Sequence, residues 1–259
     1  MYRAVFEEQG MNGRYEAIEC GPDQVGALID DFVEHGVRGV SVTMPLKEAI
    51  IEHLDDISDT ARLLNAVNCV VIDAGKTMGH NTDGDGCCEA LVDQGGASLA
   101  GASCVVLGAG GTGRSVALAA GLRGAHVIVV NRTVSRTTEM ISRMGASIEK
   151  SGGSIRAGSA SDIESATIVV NTTSVGMNSD QTPVSLELFH SGHIVLDAVY
   201  QPMETALLAG ARSRGALVID GLWMLVQQAR RQCTLQFGCN PSADLMRQAA
   251  ERELRARRQ

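Results

Sequence analysis

Short apolar runs alternate with amphipathic stretches along the chain, and the period of each predicts its conformation. Residues 14–20 (RYEAIEC) alternate polar and apolar side chains in the manner of a strand. Val25, Leu28, Ile29, Phe32 and Val33 recur at helical spacing until Gly36, which predicts a helix ended by glycine. VRGVSVT (37–43) reads as a strand, and Pro45 suits the first turn of a following helix. NAVNCVVID (65–73) reads as another strand. AGKTMGHNTDGDG (74–86) is rich in turn residues and holds a short extended piece.

The pattern becomes more regular from about residue 87. CVVL (104–107), HVIVV (126–130), TIVV (167–170), HIVLD (193–197) and LVID (217–220) are nearly continuous β-branched runs, most of them separated by helical segments. Strands that are apolar on both faces suit the interior of a parallel sheet. Their alternation with helices predicts a doubly wound α/β unit over roughly 87–220. Residues 222–237 and 241–257 read as two helices with no strand after them, the second opened by Pro241. The arginine-rich end, RELRARRQ, reads as a solvated face with cations at a helix C-terminus.

A chain of 259 residues allows one large domain or two ordinary ones, and 44% hydrophobic against 20% charged residues suffices for a core. Aromatic residues make up only 3%, too few for a base-stacking surface, and a net charge of −8 disfavours nucleic acid and anionic lipid as partners. No apolar run approaches the roughly 18 residues of a membrane span. MYRAVFEEQG lacks the basic start and apolar stretch of a secretory leader, so a cytoplasmic location is expected. The seven cysteines, Cys20, Cys69, Cys87, Cys88, Cys104, Cys233 and Cys239, are odd in number and show no CxxC spacing. They read as buried or incidental thiols. His190-x-x-His193 lies in a connection with Gly and Ser before a strand, the other histidines are scattered, and no metal site is read.

Directly after CVVL comes Gly108-Ala109-Gly110-Gly111-Thr112-Gly113, and Arg114 then opens an amphipathic helix. G-x-G-x-x-G between a strand and a helix at the start of a βαβ unit is the context of a dinucleotide loop. Glycines let the backbone approach a pyrophosphate, which the helix N-terminus attracts. HVIVV ends at Asn131-Arg132-Thr133, where an NAD-selective site places Asp or Glu on the ribose hydroxyls. Arg132, joined by Arg136 one turn later, suits a 2′-phosphate instead, which favours NADP.

Upstream, Ser41-Val42-Thr43-Met44-Pro45-Leu46-Lys47 places a lysine in a helix's first turn, where the dipole is unfavourable unless an anion compensates. Asn65-Ala66-Val67-Asn68 and Asn81-Thr82-Asp83-Gly84-Asp85-Gly86 each suit an ordinary turn. Lys47, Asn68 and Asp83 carry information only as a set.

VSVTMPLKEAI, LNAVNCVV, GHNTDGDG, VLGAGGTGRSVALA, VNRTVSR, VVNTTSVGM, VLDAVYQPMETALL and GLWMLVQQA follow the order and spacing of shikimate dehydrogenases, and the resemblance runs from residue 1 to about 247. It implies an NADP-dependent reductase that interconverts 3-dehydroshikimate and shikimate in chorismate biosynthesis. A substrate domain (1–86, with 222–259 returning to it) would face a Rossmann domain (87–221) across a cleft. The catalytic pair of the family falls on Lys47 and Asp83, and Thr43, Asn68, Tyr200 and Gln228 match its other substrate-contacting positions. Cofactor contacts fall on the Gly108–Gly113 loop, on Asn131, Arg132, Thr133 and Arg136, and on Asn171, Thr172, Ser174, Gly176, Met177, Gly221 and Met224. A monomer or homodimer with a small-molecule substrate is implied.

Departures from the family pattern accompany the resemblance. The family opens with a strand, a glycine turn and a Ser-x-Ser-Pro segment whose serines grip the substrate carboxylate. Met1-Tyr2-Arg3-Ala4-Val5-Phe6 aligns with the helix after that segment. Either a start assigned too late or a truncated paralogue is expected from this. Ser41 stands where asparagine is usual, Asn65 where glycine is usual, and bulky Trp223 stands beside Met224. Quinate or aminoshikimate dehydrogenase, and an NADP-binding paralogue with a sensor or scaffold role, are the competing readings.

Overall fold

A computed structural model describes residues 1–256, so the last residues of the arginine cluster, 257–259, lie outside the described part. Contacts divide the chain into two units, Met1–Thr82 with Gln228–Gln259, and Asp83–Gln227. The divisions fall a few residues from those expected at 86/87 and 221/222.

The first unit begins with α1 (Tyr2–Glu8) and α2 (Val25–Glu34), the latter followed by Gly36 at φ +70. Then come β1 (Gly39–Ser41), α3 (Leu46–Ala49), β2 (Asp56–Ile57), α4 (Asp59–Leu64), β3 (Cys69–Asp73) and β4 (Lys76–His80). The sheet order is β1-β3-β4-β2, antiparallel except for the β2–β4 pair. Val25 and Ile29 of α2 pack on Val70 and Ile72 of the sheet, with Ile50, Ile57 and Ala61 completing the core.

Three expectations for this unit need correction. Residues 14–20 form no strand: among the described residues nothing pairs with them, Ile18 is 54% exposed, and Tyr15 instead stacks on Tyr2 at 4.2 Å. Alternation supplies the side-chain period of a strand but not the ladder partner it needs. Pro45 sits at the cap of α3, one residue before the helix. The third concerns 65–73, where only Cys69 onward is strand. Asn65 ends α4 in the left-handed conformation, φ 51 and ψ 44, which explains an asparagine where glycine is usual.

The second unit contains α5 (Asp83–Gly95), β5 (Ser103–Leu107), α6 (Gly111–Leu122), β6 (His126–Val130), α7 (Val134–Lys150), β7 (Ser154–Ala157), β8 (Ile168–Asn171), β9 (Ile194–Asp197), α8 (Ala206–Ser213), β10 (Leu217–Ile219) and the start of α9 (Gly221–Phe237). Its six strands run parallel in the order β10-β9-β8-β5-β6-β7. This is the doubly wound, Rossmann-type sheet. Its order reverses between β5 and β8, and open α/β sheets bind ligands at the carboxyl ends of such a pair. Val105, Val169, Val195, Leu207 and Leu208 lie in its core.

The Asp83-Gly84-Asp85-Gly86 segment, expected to be turn-like, opens α5. Gly84 serves close approach rather than turning: a Cβ there would lie 2.1 Å from the Ser115 carbonyl oxygen and 2.7 Å from the Ala119 Cβ on α6. Past the unit boundary, α9 continues to Phe237, and α10 (Ala243–Ala256) follows. Ser242, not Pro241, sets its start, its hydroxyl accepting from the Leu245 N–H at 3.3 Å. Phe237 meets Phe6 of α1 edge to face at 5.4 Å.

No helix among the described residues is long and apolar enough to cross a membrane. Six of the seven cysteines are buried, and burial pushes the thiols of Cys69, Cys88, Cys104 and Cys233 up to about 12. Such thiols carry almost no thiolate at neutral pH and are poor nucleophiles.

Candidate active site

In the first unit the polar residues gather where β1, β3 and α9 approach. Lys47 is the second residue of the short helix α3, half-buried, and its carbonyl accepts from the Val67 N–H at 2.8 Å. That bond ties the lysine-bearing turn to the Ala66–Val67–Asn68 segment. Asn68 is 2% exposed. Its backbone also joins two strands, accepting from the Val42 N–H at 2.8 Å and donating to the His80 carbonyl at 2.9 Å.

The Asn68 side chain accepts from the Thr82 N–H at 2.8 Å and donates to the Thr82 hydroxyl at 3.0 Å and to Gln228 Oε1 at 3.2 Å. Two residues 160 positions apart in the chain, both expected to contact substrate, are thus hydrogen-bonded neighbours. Asn81 donates to the Ala66 carbonyl at 3.0 Å and so braces the same segment. Thr43 is exposed, and its carbonyl accepts from the Leu46 N–H at 2.9 Å to set the entry of α3.

Sequence reasoning missed a second layer beneath this cluster. Gln232, one turn beyond Gln228 and 2% exposed, donates to Gln228 Oε1 at 2.8 Å and to the Asn68 carbonyl at 3.2 Å. Its Oε1 accepts from the hydroxyls of Tyr2 and Ser41, each at 2.6 Å. The i, i+4 spacing of Gln228 and Gln232 was visible in the sequence, but nothing there tied it to Tyr2 or Ser41. Ser41, a departure from the family pattern, has a defined task here.

In the second unit the glycine loop joins β5 to α6. Gly108 has φ +108, a conformation that favours glycine. A Cβ at Gly113 would lie 2.2 Å from the Gly108 carbonyl oxygen, so the third glycine is required for the closeness of the turn. At Gly110 and Gly111 a Cβ would meet nothing within 4 Å. The fold itself leaves room there, a cradle that a side chain would fill. Asn131 Oδ1 accepts from the Ala109 N–H at 3.3 Å and its amide donates to the Thr133 carbonyl at 2.9 Å, so this asparagine holds the loop to the end of β6.

Gly110, Gly111, Arg114, Arg136, Glu139 and Arg143 line a cavity of about 310 Å³. Arg136 therefore shares a cavity with the glycine loop, and Arg132, four residues before it, is exposed. Arg114 and Arg143 were not anticipated. The i, i+7 spacing of Arg136 and Arg143 on the amphipathic helix α7 was the available signal. The groups present fit an NADP phosphate region: open backbone at the glycines and a guanidinium set beside it.

At the end of β8, Asn171 is fully buried. It donates to Asp197 at 2.8 Å and to the Val175 carbonyl at 3.3 Å, and it accepts from the Thr173 N–H and hydroxyl. Asn171 shapes the following loop from within. Asp197 also accepts from the Thr205 hydroxyl at 2.7 Å and the Val199 N–H at 3.0 Å, while burial pushes its carboxyl up. The Thr172 hydroxyl donates to the Leu107 carbonyl at 2.7 Å. Ser174 and Met177 are exposed on the loop, and Gly176 has φ +98.

Tyr200 is 36% exposed beyond β9. Gly221 packs its Cα against backbone, since a Cβ there would lie 2.6 Å from the Ala198 carbonyl oxygen; it seats α9 on the sheet. Met224 is buried and Trp223 half-buried on the same helix. Asp83, the first residue of α5, follows Thr82 directly and is half-buried. His190 and His193 sit with ring centroids 3.9 Å apart. No group of three metal-ligating side chains occurs among the described residues.

A Rossmann-type sheet with a glycine cradle at its switch point, and a separate unit bearing a lysine and a fixed amide cluster, define a two-unit dinucleotide-binding protein. Comparison with known proteins is more specific. Profiles of the shikimate dehydrogenase substrate binding domain and the shikimate 5′-dehydrogenase C-terminal domain match residues 1–70 and 221–251. The shikimate dehydrogenase (NADP(+)) of Thermococcus kodakarensis is 38% identical over 251 residues, 96% of this chain and 89% of that protein. The shikimate 5-dehydrogenase of Thermus thermophilus, solved with NADP(H) and shikimate, is 35% identical, with a TM-score of 0.87 over 97% of this chain and 92% of that one. The ligand-free 5-ketofructose reductase of a Gluconobacter strain gives a TM-score of 0.90 at 31% identity, covering 96% and 91%. The chain belongs to the shikimate dehydrogenase family.

Proposed function

We propose that the protein interconverts 3-dehydroshikimate and shikimate, using NADP. The observation that carries this is the Asn68–Gln228 pair, two amides matching substrate positions of the family and held at 3.2 Å by the fold. Bound NADP supplies or takes up the hydride at its nicotinamide. The chain's own residues must then bind the ring, meet the charge on the reacting oxygen and hold the cofactor.

Reduction of a ketone adds hydride to carbon and a proton to oxygen, so a cationic donor at that oxygen lowers the barrier. Lys47 takes this role. Asp83 accepts a hydrogen bond from the neighbouring hydroxyl and orients the lysine. Thr43, Asn68, Gln228 and Tyr200 position the ring. The Gly108–Gly113 amides take the pyrophosphate, and Arg132 and Arg136 the 2′-phosphate. On this reading Met1–Thr82 with the C-terminal helices serves the substrate, and Asp83–Gln227 the cofactor. The protein works in the cytoplasm as a monomer or homodimer, with no nucleic-acid partner.

The test follows NADP reduction spectrophotometrically with shikimate and with quinate, and NADPH oxidation with 5-ketofructose, each as a separate candidate substrate. Turnover with shikimate is expected to dominate. NADPH binding without turnover of any of the three would leave only a sensor role. Lys47→Ala is expected to lower kcat about 10²-fold or more with NADP affinity intact. Unchanged turnover would remove the lysine from the chemistry.

A further inference from the structure

Amide side chains present a donor on one side and an acceptor on the other, and which faces a ligand is decided by fixed neighbours. The Asn68 backbone carbonyl can only accept. It lies 3.2 Å from one end of the Gln232 amide, which must therefore be Nε2. The other end, Oε1, then faces the hydroxyls of Tyr2 and Ser41, each donating at 2.6 Å. Burial pushes the Tyr2 phenol far up, so it stays a donor.

With Gln232 set, the Gln228 atom 2.8 Å from its Nε2 must be an acceptor, Oε1. An independent route gives the same answer. The Thr82 N–H can only donate, so it fixes Asn68 Oδ1 at 2.8 Å and turns Asn68 Nδ2 toward the same Gln228 oxygen at 3.2 Å. One backbone acceptor and one backbone donor, from different segments, thus impose a single polarity on three amides. Gln228 commits its oxygen to Gln232 and Asn68, which leaves its NH2 group as the end of the amide that donates.

We infer that Gln232, held by Tyr2 and Ser41, is a positioning residue that makes Gln228 a dedicated hydrogen-bond donor toward an oxygen acceptor of the substrate. The inference rests on the proposed substrate-contacting role of Asn68 and Gln228. It assigns tasks to three residues, Tyr2, Ser41 and Gln232, outside the substrate-contacting positions matched to the family. Without Gln232 the Gln228 oxygen loses its 2.8 Å donor while the Asn68 and Thr82 contacts stay. The amide then turns more freely, so the donor is present for a smaller fraction of the time.

Gln232→Met, similar in shape but without the amide, tests this in a double-mutant cycle with Gln228→Ala. Gln232→Met alone is expected to raise the KM for shikimate about tenfold, the scale of one hydrogen bond to a polar ligand, with the KM for NADP unchanged. In the Gln228→Ala background the same substitution is expected to change the shikimate KM less than about twofold, since the residue it acts through is gone. Effects of Gln232→Met that multiply fully with those of Gln228→Ala would overturn the inference by showing an independent, structural role. An unchanged shikimate KM in folded Gln232→Met, while Gln228→Ala alone raises it, overturns the inference and spares the site reading. Unchanged kinetics in Gln228→Ala overturn both. Should Gln232→Met not fold, the Tyr2→Phe/Ser41→Ala double variant, which strips both donors from Gln232 Oε1, replaces it in the cycle with the same expectations.

Discussion

A methyl group added at Gly110 and one added at Gly113 have opposite consequences, although both glycines belong to one loop. At Gly113 the new Cβ would lie 2.2 Å from the Gly108 carbonyl oxygen and 2.8 Å from the Thr172 hydroxyl, and the backbone oxygen cannot rotate away. At Gly110 the backbone, φ −79 and ψ −172, suits alanine, and the Cβ meets nothing within 4 Å. Gly110→Ala should therefore leave the cofactor-free fold intact. It even adds about 0.4–1 kcal/mol by restricting the unfolded chain.

The same methyl occupies the space through which a pyrophosphate would approach the loop. Loss of about one or two amide–phosphate bonds, at about 1.5–3 kcal/mol each, raises the Kd for NADP at least about tenfold. Gly113→Ala instead costs about 1–3 kcal/mol of overpacking, roughly 2–4 °C of Tm per kcal/mol in a protein of this size. The assay pairs a melting curve without cofactor and a fluorescence titration with NADPH. Expected are an unchanged or slightly higher Tm with weakened binding for Gly110→Ala, and a lowered Tm for Gly113→Ala. An unchanged NADPH Kd in Gly110→Ala would refute the reasoning, because no phosphate could then lie against that glycine.

Arg136→Ala removes a guanidinium from the cavity wall and is expected to raise the KM for NADP about tenfold or more while leaving that for NAD nearly unchanged; equal losses for both would exclude a 2′-phosphate contact. A pH effect follows from His193, whose Nε2–H donates to the Ile163 carbonyl at 2.8 Å while Nδ1 accepts from the His190 N–H at 3.1 Å. Burial above all lowers its pKa from 6.5, so the unfolded chain takes up the proton first as pH falls. Its stabilising contribution is present above about pH 6.5 and is lost below it, down to the folded value. His193→Gln should flatten the fall of Tm between about pH 7.5 and 5.5, with the part due to the similarly lowered His80 remaining; an identical slope in the variant would rule out His193 as its source.

What the sequence made legible follows from where each signal resides. The runs at β5, β6, β8 and β9 are buried on both faces, so their composition alone marks them. The strand β7, Ser-Ile-Arg-Ala, escapes notice because it lies at the sheet edge with mostly exposed side chains, and an edge strand needs no apolar run. Glycines mislead where they serve contact rather than turning: Gly84 looked like part of a turn and instead sits in α5 against α6. Asn65 hid the end of α4 because its left-handed backbone is visible only in coordinates.

The site divides along the same line. The glycine loop is local, so strand, loop and helix could be read together. The amide cluster depends on groups from α1, β1, the start of β3, the end of β4 and α9, and its polarity is decided by one backbone carbonyl and one backbone N–H. A sequence lists the amides without the backbone groups that orient them, so Gln228 could be matched to a family position but the direction of its amide could not be read. A substitution at Gln232 can therefore change what Gln228 does without touching Gln228 or any residue matched to the family's site. Selectivity among substrates of this family need not reside in the residues that touch them.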